Sequence, residues 1–133
     1  MKALLINAKE QTVEFIDYED SLEEMYKLIG CDCIDAVDFI PCKDKKGKPY
    51  VPTMFVDDEG RLNEEWSEGL VFPCGLGHSM EWPRIIAGNG LVVGIGPEGE
   101  NVDLEVEDED AYIREVLDEI RFLKRGKAKQ KES

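Results

Sequence analysis

The chain has 133 residues, the size of one compact domain, and 42% of them are hydrophobic, enough for a real core and too many for wholesale disorder. Acidic residues outnumber basic ones by 30 to 16, for a net charge of -14, which argues against sequence-independent binding to DNA or RNA because the phosphates would be repelled before contact. No apolar run approaches the roughly 20 residues of a membrane helix, and Met1–Ile6 gives way at once to Asn7 and Lys9, unlike a signal peptide.

The elements follow in chain order. Lys2–Asn7 is apolar and continuous, and Thr12–Asp17 is β-rich, so the two predict an opening hairpin. Ser21-Leu-Glu-Glu24 has the spacing of a capping box, with Ser21 accepting from a first-turn amide and Glu24 reaching back to the Ser21 amide. Leu22, Met25, Tyr26 and Ile29 then recur at helical spacing, and Gly30 stands where a left-handed cap is wanted. Ile34–Ile40 reads as a third strand ended by Pro41, and Tyr50–Val56 as a fourth, with Pro52 marking an edge or a bulge. The basic run Lys43–Pro49 between them reads as an exposed loop, Asp57–Gly60 as a turn, and Asn63 as the cap of a brief helical turn through Trp66.

Gly69–Pro83 reads as irregular, because Pro73, Gly75 and Gly77 interrupt it. Arg84–Ala87 and Leu91–Ile95 are β-like, and Asn89-Gly90 between them is a tight-turn signal for a hairpin. Asp103–Glu107 alternates acid and apolar as a half-buried edge strand does, and Asp110 can cap a final helix over Ala111–Lys124. The sum is an α+β fold: a small, mostly antiparallel sheet with two helices, one after the N-terminal hairpin and one C-terminal. It occupies residues 1–125 as a single domain. The basic tail, residues 126–133, has no apolar residue larger than alanine and is expected to be disordered.

Few residue patterns carry chemistry. Cys74 and His78 are spaced as a zinc site or a nucleophile–base pair could use, yet Cys31-Asp-Cys33 is too tight for a zinc knuckle and no orienting third group is evident. No metal site, no cofactor and no catalytic residue is therefore expected. Gly94-Ile-Gly96-Pro-Glu-Gly99 matches the dinucleotide-loop spacing, but Pro97 and Glu98 oppose a phosphate-binding helix, so it reads as a glycine-rich turn. Two groups remain as binding candidates. Trp66, His78, Trp82, Arg84 and Asn89 could line a pocket for a planar anionic ligand, with Trp82 stacking and Arg84 supplying charge. Asp103, Glu105, Glu107, Asp108 and Glu109 form an acidic surface that is simply a solvated edge, binds a divalent cation weakly, or docks on a basic partner.

The order of features is also familiar. The first strand Met1-Lys-Ala-Leu4, the capped helix Ser21–Gly30, the strand Ile34–Phe39, Val56-Asp-Asp-Glu-Gly-Arg-Leu-Asn63 and Ile86-Ala-Gly-Asn-Gly-Leu-Val-Val-Gly94 together resemble the family known as domain of unknown function 3846. The likeness spans about Met1 to Gly96 and offers no catalytic residues. It implies an accessory protein of phages and mobile elements, a setting in which such proteins often antagonise host defence. The expected function is thus non-enzymatic binding in the host cytoplasm, through the acidic surface on a basic host protein. A sponge for a small nucleotide-like signal near Trp82 and Arg84 is the alternative, and an enzyme built on the Cys74/His78 loop a second one. A homo-oligomer stays open. Because residues 126–133 hold no core-forming side chain, deleting them should change folding stability by less than about 0.5 kcal/mol, measured by denaturant melts of both chains.

Overall fold

A computed structural model of the protein describes residues 1–8, 10–30, 34–57, 68–72 and 84–124. Those residues form an α+β arrangement in which every strand pair is antiparallel. In chain order the elements are β1 (Lys2–Asn7), β2 (Thr12–Asp17), α1 (Leu22–Ile29), β3 (Ile34–Asp38), β4 (Cys42–Lys43) and β5 (Pro49–Tyr50). There follow β6 (Thr53–Asp57), β7 (Glu68–Phe72), β8 (Arg84–Ala87), β9 (Gly90–Ile95), β10 (Asn101–Val102), α2 (Glu109–Glu119) and β11 (Arg121–Lys124). The main sheet has the order β2-β1-β9-β6-β3, with β10 also pairing β9. A second sheet runs β11-β7-β8, and β4 and β5 pair as a separate ribbon.

The register explains the core. Phe15 pairs with Leu4, Leu4 with Val92, Val92 with Met54 and Met54 with Val37, so one apolar rung crosses all five strands. Side chains alternate across a strand, so this rung lies on one face, against Tyr112 and Val116 of α2. The next rung, through Leu5, Leu91 and Phe55, lies on the other face, against Met25 and Ile29 of α1. The sheet is therefore covered on both sides, and its middle strand β9 is buried from Gly90 to Gly94. That double burial is why Leu91-Val-Val93 reads as a continuous apolar run rather than an alternating one.

α1 has half of its expected capping box. Ser21 Oγ accepts from the Glu24 amide at 3.2 Å, and Gly30 takes the left-handed cap with φ 84°. The reciprocal bond is replaced, because the Ser21 amide donates instead to the Glu19 carbonyl at 2.7 Å. The basic loop also forms as expected, between β4 and β5. Asp44 Oδ1 accepts from the amides of Lys46 and Lys48, both at 2.9 Å, while Gly47 supplies a positive φ.

Several boundaries differ from the sequence reading. The third strand stops at Asp38, and Phe39 and Ile40 continue as buried chain outside the ladder. The fourth strand is interrupted at Val51 and Pro52, where the Pro52 carbonyl accepts from the Phe39 amide at 3.0 Å. Glu68–Phe72 is a strand, not irregular chain, because β8 and β11 supply partners on its two sides. The Asn63 helical turn and most of the Asp57–Gly60 turn lie outside the described residues. β8 and β9 are not a hairpin: they belong to different sheets, and Gly88, with φ 85°, turns the chain from one sheet to the other. α2 is capped by Asp108 rather than Asp110, since Asp108 Oδ1 accepts from the Ala111 amide at 3.1 Å. The helix also ends earlier, at Glu119, because Arg121–Lys124 leaves the helical stripe to pair with β7. Residue 125 and the tail lie outside the described residues.

Asp103–Glu107 keeps its alternation without being a strand. Leu104 and Val106 are buried while Asp103, Glu105 and Glu107 are exposed. The segment is anchored where the Leu104 amide donates to the Lys2 carbonyl at 2.9 Å, and it passes β9 at Gly94. A Cβ on Gly94 would stand 2.6 Å from the Asp103 carbonyl oxygen, a backbone atom that cannot step aside. Gly94→Ala should therefore cost about 1–3 kcal/mol by forcing this crossing apart, read as a lower midpoint in denaturant melts with the helical circular dichroism retained.

Candidate functional site

From Asp103 to Glu119 the chain carries nine carboxylates against one base, Arg114. Eight of these acids are exposed, because the apolar positions between them, Leu104, Val106, Tyr112, Val116 and half-buried Ile113, take the core side. Alternation in the extended segment and the helical stripe in α2 thus present one acidic ribbon. Asp108 belongs to it and also caps α2, an anion at the positive end of the helix dipole. Glu109 is the exception. It is half-buried and ion-paired to Lys2 Nζ, which also lies over the Phe15 ring, 5.8 Å from its centroid. The hydrogen bond and charge of Glu109 raise the Lys2 pKa above its ordinary value.

Lys2 therefore fixes the ribbon in three ways. Its ammonium holds Glu109, its carbonyl receives the Leu104 amide, and its own amide donates to Asp103 Oδ1 at 2.9 Å. On the far side the ribbon is tied to the β4–β5 hairpin. Tyr50 Oη donates to the Glu105 carbonyl, the Glu107 amide donates to the Lys43 carbonyl at 2.8 Å, and Glu105 accepts from the Lys45 amide at 3.4 Å.

Where hairpin, ribbon and α2 converge there is a cleft of about 280 Å³. Pro41, Cys42, Val106, Ala111 and Tyr112 give it apolar walls, and Glu107, Asp108 and Glu115 stand with Lys43 around it. Tyr112 is buried and donates its hydroxyl to the Ile40 carbonyl at 2.7 Å. Burial pushes the Cys42 thiol pKa up, only partly offset by the Tyr50 hydroxyl beside it. Cys42 is thus held as a protonated thiol at neutral pH, a poor nucleophile. The cleft was not legible in the sequence, since its walls come from two stretches far apart in the chain, 41–43 and 106–115. The alternation of Asp103–Glu107 was its one local signal.

Of the other binding candidates, only Arg84 and Asn89 are among the described residues. Arg84 opens β8 in the second sheet, paired with Phe72. Trp66, His78 and Trp82 lie outside the described residues, as do Cys31, Cys33 and Cys74. Asn89 has both ends of its amide engaged by the scaffold: Oδ1 accepts from the Ala8 amide at 2.9 Å and Nδ2 donates to the Leu28 carbonyl at 3.0 Å. It joins the first hairpin to the end of α1. Gly96 and Gly99 form the turn between β9 and β10, with the Gly99 amide donating to the Gly96 carbonyl at 3.0 Å, and a strand rather than a helix follows. Among the described residues no group of three or more His, Cys, Asp or Glu side chains is placed to hold a metal ion, and no helix is long and apolar enough to cross a membrane.

The fold and this surface define a small α+β protein with a doubly covered antiparallel sheet and an acidic ribbon along one flank. Residues 1–117 match the family described as Domain of unknown function (DUF3846), and the chain belongs to it. The match extends beyond the strand and turn motifs ending at Gly96 to include most of the ribbon and of α2. No curated protein and no solved structure matches the chain.

Two phenols beside the cleft, Tyr50 and Tyr112, and Tyr18 in the core cluster on the other face of the sheet give the fold a measurable signature. Burial raises the pKa of Tyr50 and Tyr112, and raises that of Tyr18 to about 12, all above the ordinary value of 10.0. A phenol kept neutral in the folded state contributes stability that is fully present below the unfolded pKa and is lost as pH rises through the folded value. Alkaline titration followed by tyrosinate absorbance should show these phenols ionising late, together with loss of helical signal. Early ionisation without unfolding would contradict their burial.

Proposed function

We propose that the protein acts by binding rather than catalysis, docking its acidic ribbon on the basic surface of a partner protein. The observation that carries this reading is the ribbon itself, eight exposed carboxylates with one base among them from Asp103 to Glu119. Like charges held this close oppose folding, and their field speeds encounter with a positive partner while repelling nucleic acid. The setting we propose with it is that of an accessory protein of a phage or mobile element, acting in the host cytoplasm on a host protein, with counter-defence as its purpose. A nuclease or another DNA-binding factor has the basic surface such a ribbon complements.

The experiment is association kinetics. The immobilised chain captures a partner from host cells, and the purified partner is then mixed with the parent or with the triple variant Asp103→Asn, Glu105→Gln, Glu107→Gln. Amides keep the acceptor oxygens that Asp103 and Glu105 use within the fold, so only charge is lost. The variant should associate about tenfold more slowly at low ionic strength and show a flatter salt dependence. Equal rates for variant and parent would remove the ribbon from the mechanism.

A further inference from the structure

We infer that the cleft between the β4–β5 hairpin and α2 is a socket for a single lysine or arginine side chain of the protein partner, which sets the register of docking. This rests on the acidic-docking reading and goes further, because a smooth acidic ribbon attracts a basic surface without specifying where it seats. The argument is one of shape and charge together. The cleft's volume of about 280 Å³ suits one long side chain and is small for a folded element. Its walls are apolar at Pro41, Val106, Ala111 and the buried ring of Tyr112.

Glu107, Asp108 and Glu115 are all exposed where they meet the cleft, against the one ammonium of exposed Lys43, so the local balance is negative by two charges. A side chain with a long methylene stem and a cationic head satisfies both features, the stem along the walls and the head at the carboxylates. An anion would meet three carboxylates instead, and a purely apolar side chain would leave their attraction unused. The positive end of the α2 dipole opens beside the cleft, but the Asp108 carboxylate already occupies it by accepting from the Ala111 amide. Nothing about the thiol is required: Cys42 serves as wall.

The probe is a nonapeptide of alternating glycine and lysine, titrated into the full-length chain and followed by amide and methyl NMR shifts at two salt concentrations. Ala111→Leu narrows the cleft with no change of charge, and Glu115→Gln removes one rim charge from an exposed position where folding is little affected. Shifts should concentrate at Ala111, Tyr112 and Cys42, and each variant should bind the peptide at least fivefold more weakly than the parent. Should Ala111→Leu fail to fold by circular dichroism, Glu115→Gln and the shift map decide alone. If the parent binds in a salt-dependent way, but shifts spread along the ribbon and the variants bind as well as the parent, the socket is overturned while ribbon docking survives. If the parent shows no salt-dependent binding even at low salt, the docking reading falls and the socket with it.

Discussion

Burial of β9 on both faces is the constraint on which the rest of the structure depends. A strand flanked by β1 and β6, with α1 on one face and α2 on the other, can expose neither set of side chains. Leu91 and Val93 therefore serve one layer and Val92 the other, all at 0% exposure. Residues too large would jam this strand. Its glycines are where other parts of the molecule need the space: Met54 Sδ stands 2.6 Å from where a Gly90 Cβ would lie, and the Asp103 carbonyl fills the equivalent position at Gly94. The same absence of side chains that weakens a strand locally lets this one accept a neighbouring methionine and a crossing backbone.

The acidic ribbon is a consequence of that crossing. Once the chain passes Gly94 and donates from Leu104 to β1, the alternation of the next residues decides which face is wet. Leu104 and Val106 go inward, so Asp103, Glu105 and Glu107 go outward, and Lys2 holds the beginning of α2 through Glu109. The half-buried pair between Lys2 and Glu109 is still reached by solvent and contributes little stability by itself. Its importance is placement, since it keeps one end of the ribbon registered to the sheet while Tyr50 and Lys43 hold the other flank.

What the sequence reveals depends on how local the determining physics is. The hairpin, the Ser21 cap, the Gly30 terminator and the loop at Asp44 are set by neighbours within a few residues, and the structure contains them all. Asn89-Gly90 misleads because the turn signal is real but the partner of β8 is β7, a strand the sequence disguises among prolines and glycines. The C-terminal helix misleads in the same way. Ile120 and Leu123 fit a helical stripe, yet Arg121–Lys124 gains more from completing the second sheet, and tertiary pairing overrides periodicity. The acidic residues of the candidate surface were legible because alternation is local. Their arrangement around a cleft was not, because Cys42 and Tyr112 meet only after β4 has been brought against α2.

If the acidic ribbon docks as proposed, function and stability respond to salt in opposite directions on this surface. Carboxylates crowded along the ribbon repel one another in the folded chain, and added electrolyte screens that repulsion within a Debye length of about 8–10 Å. The same screening shortens the reach of the negative field on which the proposed docking relies. A fold held by an apolar sheet with two covered faces can tolerate the repulsion, because its rungs and helices are indifferent to ionic strength. The acidic flank is then free to stay uncompensated, and the burial of β9 is what permits it.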